Sequence, residues 1–255
     1  TSSGTTALHL AMLALDIGQD DEVITTNFTY VASTNAILHV GAKPVFCNIR
    51  SENLNIDVDS IESKITPKTK AILYTNVYGF LCDYDRLNEI AKKHGLFLIE
   101  DAAESFGARY KSRMSGTLGD ISTFSFFGNK TITTGEGGIA LTNDPDLAER
   151  LRLIRNHGEV VVGKINKGHM TNQLGWNYRL SEFNSAIALA QLERLDALIK
   201  LRVESAEILL NTIKGCDFLI PQFTPEYCNN SFWALALKYE GQKLLNVSWE
   251  QFQKK

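Results

Sequence analysis

Cysteine is scarce in this chain. Its four residues, Cys47, Cys82, Cys216 and Cys228, are too widely spaced for a zinc site or a dense disulfide framework. They read as buried or inert thiols of a cytoplasmic protein. The five histidines show no HxxxH-type spacing, so no metal centre is expected. An excess of positive charge is missing as well: a net charge of −3 argues against nucleic acid as the main partner. No apolar run approaches the length of a membrane span. There is no internal repeat and no low-complexity tract. The chain opens on Thr1-Ser2-Ser3-Gly4, a functional-looking loop with no start methionine or targeting segment before it. It stops at Gln253-Lys254-Lys255 inside a charged helical pattern, so both ends are expected to be cut.

What is present is the make-up of a globular protein, 44% hydrophobic and 22% charged. A chain of 255 residues can bury one large core, or a large and a small one. Leu8, Ala11, Met12 and Leu15 form the stripe of an amphipathic helix starting just after Gly4. Strand patterns over 23–26, 44–49, 70–77 and 96–99 alternate with helical patterns over 32–40 and 86–94. Gly95 stands as the stop of the second of these helices. This alternation predicts βα units around a mostly parallel sheet with both faces covered. Short strands at 121–126 and 138–142 are expected to join it. Asp144-Pro145 caps a further helix to about Asn156. Residues 157–176 form a glycine-bearing loop long enough to carry function. A single long helix is predicted from Ser181 to about Ile213, with Leu192, Leu195, Ile199, Val203, Ala206 and Leu210 on one face. Beyond it, a strand over 232–239 would begin a smaller domain.

Three features carry chemistry. Ser3-Gly4-Thr5-Thr6 sits at a helix start, where free amides, a positive helix end and hydroxyls suit a phosphate. A plain capped helix is the alternative. Leu98-Ile99-Glu100-Asp101 is an apolar strand ending in acids, at the sheet edge where α/β proteins bind ligands. A buried Asp101 needs a partner, either a protonated pyridine nitrogen or a nearby arginine. Third, Lys130 follows the aromatic run Phe124-Ser125-Phe126-Phe127 and precedes the turn Gly135-Glu136-Gly137-Gly138. Burial among aromatic rings favours the neutral amine that Schiff-base chemistry uses. Ser125 is placed to reach the same phosphate as the Ser3–Thr6 loop. Gly128-Asn129-Lys130-Thr131 echoes the end of a nucleotide-binding P-loop. However, Asn129 precedes the lysine and no glycine stands at Thr123 or Phe124, so that motif is not met.

The runs SSGTTALHLAMLAL, FTYVASTNAI, VYGFLCD, FLIEDAAESFGARY, FSFFGNKTITTGEGG and GWNYRLSEFNSAIALAQLE occur in that order. Together they resemble the DegT/DnrJ/EryC1/StrS family of sugar-nucleotide aminotransferases, over about residues 1–213. FSFFGNKTITTGEGG and IEDAAESFGA most resemble its perosamine-synthase branch. The resemblance implies a three-layer αβα large domain of the aspartate-aminotransferase type (fold type I, pyridoxal-phosphate-dependent) over 1–213. It also implies a truncated small α+β domain over 214–255. It makes Lys130 the Schiff-base lysine and proton carrier, and Asp101 the carboxylate that keeps the cofactor's pyridine nitrogen protonated.

By the same resemblance Gly4, Thr5, Thr6 and Ser125 bind the phosphate of pyridoxal 5'-phosphate. Tyr30 stacks on its ring, with Phe28 as a substitute. Asn177 reaches the phosphate of a neighbouring subunit, which implies a homodimer with shared active sites. Glu104 stands where many members have glutamine or histidine. Ionised beside the cofactor's phenolate oxygen it would be unfavourable, unless protonated or turned away. Related dehydratases carry histidine in place of the lysine, so Lys130 points to amino transfer. The implied reaction moves an amino group from glutamate to a nucleotide-linked 4-keto-6-deoxy sugar, foremost GDP-4-keto-6-deoxymannose. A UDP- or dTDP-linked keto sugar, or a non-catalytic regulatory member, are the alternatives. His157 and His169, in the long loop, are candidates for sugar-nucleotide contacts.

Overall fold

The computed structural model describes residues 1–159 and 174–254. Six strands form the main sheet: β1 (Glu22–Thr26), β2 (Lys43–Cys47), β3 (Thr69–Thr75), β4 (Phe97–Asp101), β7 (Ile121–Ser125) and β8 (Gly138–Leu141). Their spatial order is β2-β1-β3-β4-β7-β8. All pair in parallel except β8, which runs antiparallel to β7. Two short strands between β4 and β7, β5 (Arg109–Tyr110) and β6 (Arg113–Met114), make a separate ribbon.

The central strands β1, β3, β4 and β7 are buried along almost their whole length because both faces are covered. On one face Val23, Ala71, Leu73, Ile99 and Ile121 pack against three helices, α1 (Gly4–Ala14), α2 (Val31–His39) and α4 (Pro145–Arg155). On the other face their neighbours Ile24, Ile72 and Leu98, with Tyr74, meet α3 (Tyr84–His94) through Leu87, Ile90 and Ala91. A fully buried leucine or isoleucine contributes about 1.5–3 kcal/mol, so this double core dominates the stability. The predicted caps are in place. Asp144 accepts from the Asp146 and Leu147 amides at the start of α4. Gly95 ends α3 in the left-handed conformation at φ 65°.

Two expectations need correction. The helix predicted from Ser181 to Ile213 is two helices, α5 (Glu182–Leu192) and α6 (Leu195–Thr212), broken at Glu193-Arg194. The break turns Leu195 and Leu198 onto the buried aromatic cluster of Phe106, Phe124 and Phe126. Of the predicted face, only Ala206 is buried. The strand expected over 232–239 shrinks to Leu237–Tyr239. Phe232 adopts φ 48°, a left-handed turn that interrupts any strand there. Residues beyond 213 are tied to the rest of the chain by local pairing: Cys228–Asn229 adds to β5, and Ser231 N–H donates to the Gly79 carbonyl at 3.1 Å. No helix of the described residues is long and apolar enough to cross a membrane.

Candidate active site

A cavity of about 600 Å³ opens at the carboxyl ends of β1, β3, β4 and β7. Its wall includes Ser3, Gly4, Thr5, Asp101, Ser125 and Lys130, so all three chemical features of the sequence meet in one place. Tyr30, Phe28 and Glu104 also line it.

At one end stands the start of α1. Ser3 caps it: its Oγ accepts from Thr6 N–H at 3.1 Å, and Thr6 Oγ1 accepts from Ser3 N–H at 3.0 Å. Thr6 is thereby committed to the cap and is not part of the wall. The first amides of a helix have no partner within it, and those of Gly4 and Thr5 remain at the cavity. A side chain on Gly4 would put its Cβ 2.7 Å from Ser125 Cβ. Glycine is what lets α1 begin hard against β7, and this brings Ser125 beside the helix end.

Asp101 closes β4 and is buried. Its carboxylate accepts from Ser33 Oγ at 2.7 Å and from Ala103 N–H at 3.2 Å. The arginine considered from sequence does not appear among its described partners. Burial pushes the Asp101 carboxyl up, while Ser33, Ala103 and the Lys130 charge pull it back. Behind Ser33 runs a file of hydroxyls, with Thr29 Oγ1 2.9 Å from Ser33 Oγ and 3.0 Å from Thr75 Oγ1.

Lys130 sits in the turn after β7, its N–H donating to the Phe127 carbonyl at 2.9 Å. The amine is 3.7 Å from Glu104 Oε1 and 4.4 Å from the centroid of the Trp233 ring. Trp233 stacks on Tyr78, at 6.1 Å between centroids, and its Nε1 donates to the Asn129 carbonyl at 3.0 Å. Tyr78 has φ 60°, a left-handed conformation that costs a non-glycine residue on the order of 1–3 kcal/mol. That geometry aims its N–H at Glu104 Oε2, 2.9 Å away. Glu104 is thus turned towards Lys130 and the Tyr78 amide. Burial raises its carboxyl above the usual range, against the pull of Tyr78 N–H and Lys130.

Tyr30 is largely exposed at the rim, and Phe28 lies deeper, edge-on to Tyr78 at 6.3 Å. Asn177 is exposed and outside its own chain's cavity wall, bridged to Asn156. His157 is likewise outside the wall, and His169 lies outside the described residues.

Ser33, Tyr78 and Trp233 were not singled out from the sequence, and neither was Glu100. Glu100 points to the opposite side of β4 from Asp101. It is fully buried and takes five donors, from Asn76, Ser115, Gly116, Leu118 and Ser122, at 2.7–3.2 Å. Its place beside Asp101 in an apolar strand was the available signal: a second acid there must be satisfied from the other face.

A model of the DegT/DnrJ/EryC1/StrS aminotransferase family matches residues 1–253. GDP-perosamine synthase of Escherichia coli O157:H7 is 49% identical over 214 residues, covering 84% of this chain and 58% of that protein. GDP-perosamine synthase of Caulobacter vibrioides is 49% identical over 195 residues, covering 76% of this chain and 52% of that protein. The chain therefore spans little more than half the length of these curated relatives. Among solved structures, S. venezuelae DesV in complex with a ketimine intermediate superposes with a TM-score of 0.86 at 36% identity. That match covers 96% of this chain and 64% of the other.

Proposed function

The chain belongs to the DegT/DnrJ/EryC1/StrS aminotransferase family, and from that premise we propose that its cavity holds pyridoxal 5'-phosphate for amino transfer to a nucleotide-linked keto sugar. The observation that carries this reading is the convergence of Lys130, Asp101 and the Ser3–Thr5/Ser125 cradle on one cavity. The fold is that of the fold-type-I transferases, three αβα layers around a mostly parallel sheet.

The residues fit the cofactor. Amides at the start of α1, among them that of Gly4, and the Thr5 and Ser125 hydroxyls would hold its phosphate. Asp101, buried and accepting two hydrogen bonds among the described residues, has capacity left for a protonated ring nitrogen. When bound, the cofactor supplies a carbonyl for an amine to join and a ring that takes up electrons. Lys130 supplies the joining amine and, once displaced, accepts and returns the proton at its Nζ as general base and acid. Ser33 fixes Asp101 in position. Tyr30, with Phe28 as substitute, covers the ring.

Glutamate is the proposed donor and GDP-4-keto-6-deoxymannose the proposed acceptor, giving GDP-perosamine. The acceptor is supported by relatives at 46–49% identity that bear that product's name. We assign residues 1–213 to the cofactor-binding domain and 214–255 to the smaller one. We place the protein in the cytoplasm, serving O-antigen and lipopolysaccharide assembly. The exposed Asn177 supports a homodimer in which each subunit completes the other's phosphate site. The test is amine transfer from glutamate to GDP-, UDP- and dTDP-linked 4-keto sugars, followed by product mass. Turnover of the GDP sugar alone supports the assignment, and preference for another nucleotide redirects it. Cofactor binding without any turnover would favour a non-catalytic role.

A further inference from the structure

We propose that Glu104 is the counter-ion of the Lys130 nitrogen in its covalent link to a carbonyl cofactor, stabilising the protonated form of that link. The inference rests on the cofactor reading above and deepens it. Three observations carry it. The Lys130 and Glu104 side chains are only 12% and 14% exposed, and they face each other at 3.7 Å. The second Glu104 oxygen is pinned by Tyr78 N–H at 2.9 Å, which fixes the carboxylate's direction towards the lysine. The Trp233 ring lies 4.4 Å from the same nitrogen, offering the negative face that attracts a cation. The nitrogen thus sits between a carboxylate and a π face.

The other titratable groups in the cavity wall are Asp101, Glu136, Tyr30 and Tyr78. Asp101 is engaged by Ser33 and Ala103, and no ion pair joins Glu136 to Lys130 among the described residues. Burial pushes the Glu104 carboxyl up, but Lys130 and the Tyr78 amide both favour its ionised form. A positive nitrogen makes the carbon linked to it a better target for an incoming amine.

The test is a pH titration of the visible absorption of the chain saturated with pyridoxal phosphate, for wild type, Glu104→Gln and Glu104→Asp. Glutamine keeps an oxygen for Tyr78 N–H but removes the charge. The midpoint in Glu104→Gln is expected to fall by at least about one pH unit, equivalent to about 1.4 kcal/mol. Glu104→Asp keeps the charge at longer range and should fall by less. A residue that only braced Tyr78 would leave the midpoint where it is, so an unmoved midpoint in a folded variant overturns the proposal. If Glu104→Gln does not fold, a midpoint in Glu104→Asp equal to wild type overturns it as well. Absence of a visible band in wild type would bring down the cofactor reading and this inference with it. A normal band with an unmoved midpoint brings down the inference alone.

Discussion

Replacing Ser33 with alanine tests how the sheet holds its acid. Ser33 lies on α2, fully buried, and its hydroxyl gives Asp101 one of its two hydrogen bonds among the described residues. Among the described residues, truncation leaves the buried carboxylate with the Ala103 amide as its hydrogen-bond donor, and the alanine methyl supplies none in place of the lost hydroxyl. A hydrogen bond to a charged group contributes about 1.5–3 kcal/mol, more than a neutral one, because the unmet partner keeps its desolvation penalty. Thr29 also loses its contact to Ser33, but it retains Thr75 at 3.0 Å, so little is added. The expected loss is therefore about 2 kcal/mol, read from denaturant midpoints at neutral pH. The assay is a double-mutant cycle with Asp101→Asn. With the charge gone, Ser33→Ala should cost at least about 1 kcal/mol less. A loss of the same size in both backgrounds would mean that Ser33 acts through packing, and the account of Asp101 would be refuted.

Gly4→Ala places a Cβ 2.7 Å from Ser125 Cβ. It should weaken retention of pyridoxal phosphate about tenfold, or about 1.4 kcal/mol, by equilibrium dialysis; unchanged retention would dissociate the α1–β7 contact from phosphate binding. His9 is buried, its Nδ1 2.8 Å from Tyr178 Oη, and burial, with the nearby His39, lowers its affinity for a proton. The unfolded chain then takes up a proton that the folded chain refuses, so stability falls as pH drops below about 6.5 and is retained above it. In His9→Gln the melting temperature should fall less between about pH 7.5 and about pH 5.5 than in wild type; parallel curves would assign the acid sensitivity elsewhere.

Much of this architecture is legible in the sequence because its causes are local. The paired residues Val23-Ile24, Ile72-Leu73 and Leu98-Ile99 must each serve two buried faces, and each does. Asp144-Pro145 and Gly95 act through their own backbone geometry. What is not legible depends on distant partners. Nothing in the periodicity of 181–213 marks Glu193-Arg194 as a break; the aromatic cluster that receives Leu195 and Leu198 decides it. Phe232 turns left-handed beside Gly79, where a side chain on Gly79 would meet the Phe232 amide at 2.7 Å. That turn carries Trp233 to Lys130 from more than a hundred residues away. Ser33 lies within the run FTYVASTNAI, but nothing local marks its hydroxyl as the partner of Asp101; that role depends on α2 bringing Ser33 to the end of β4.

The claim on which the rest depends is that Lys130 carries the cofactor. Reduction of the pyridoxal-phosphate-loaded chain with borohydride, followed by peptide mass spectrometry, addresses it directly. The account predicts one stoichiometric phosphopyridoxyl adduct on Lys130, and none at any site in Lys130→Ala. An adduct on another lysine, or a visible band unchanged in Lys130→Ala, would contradict it.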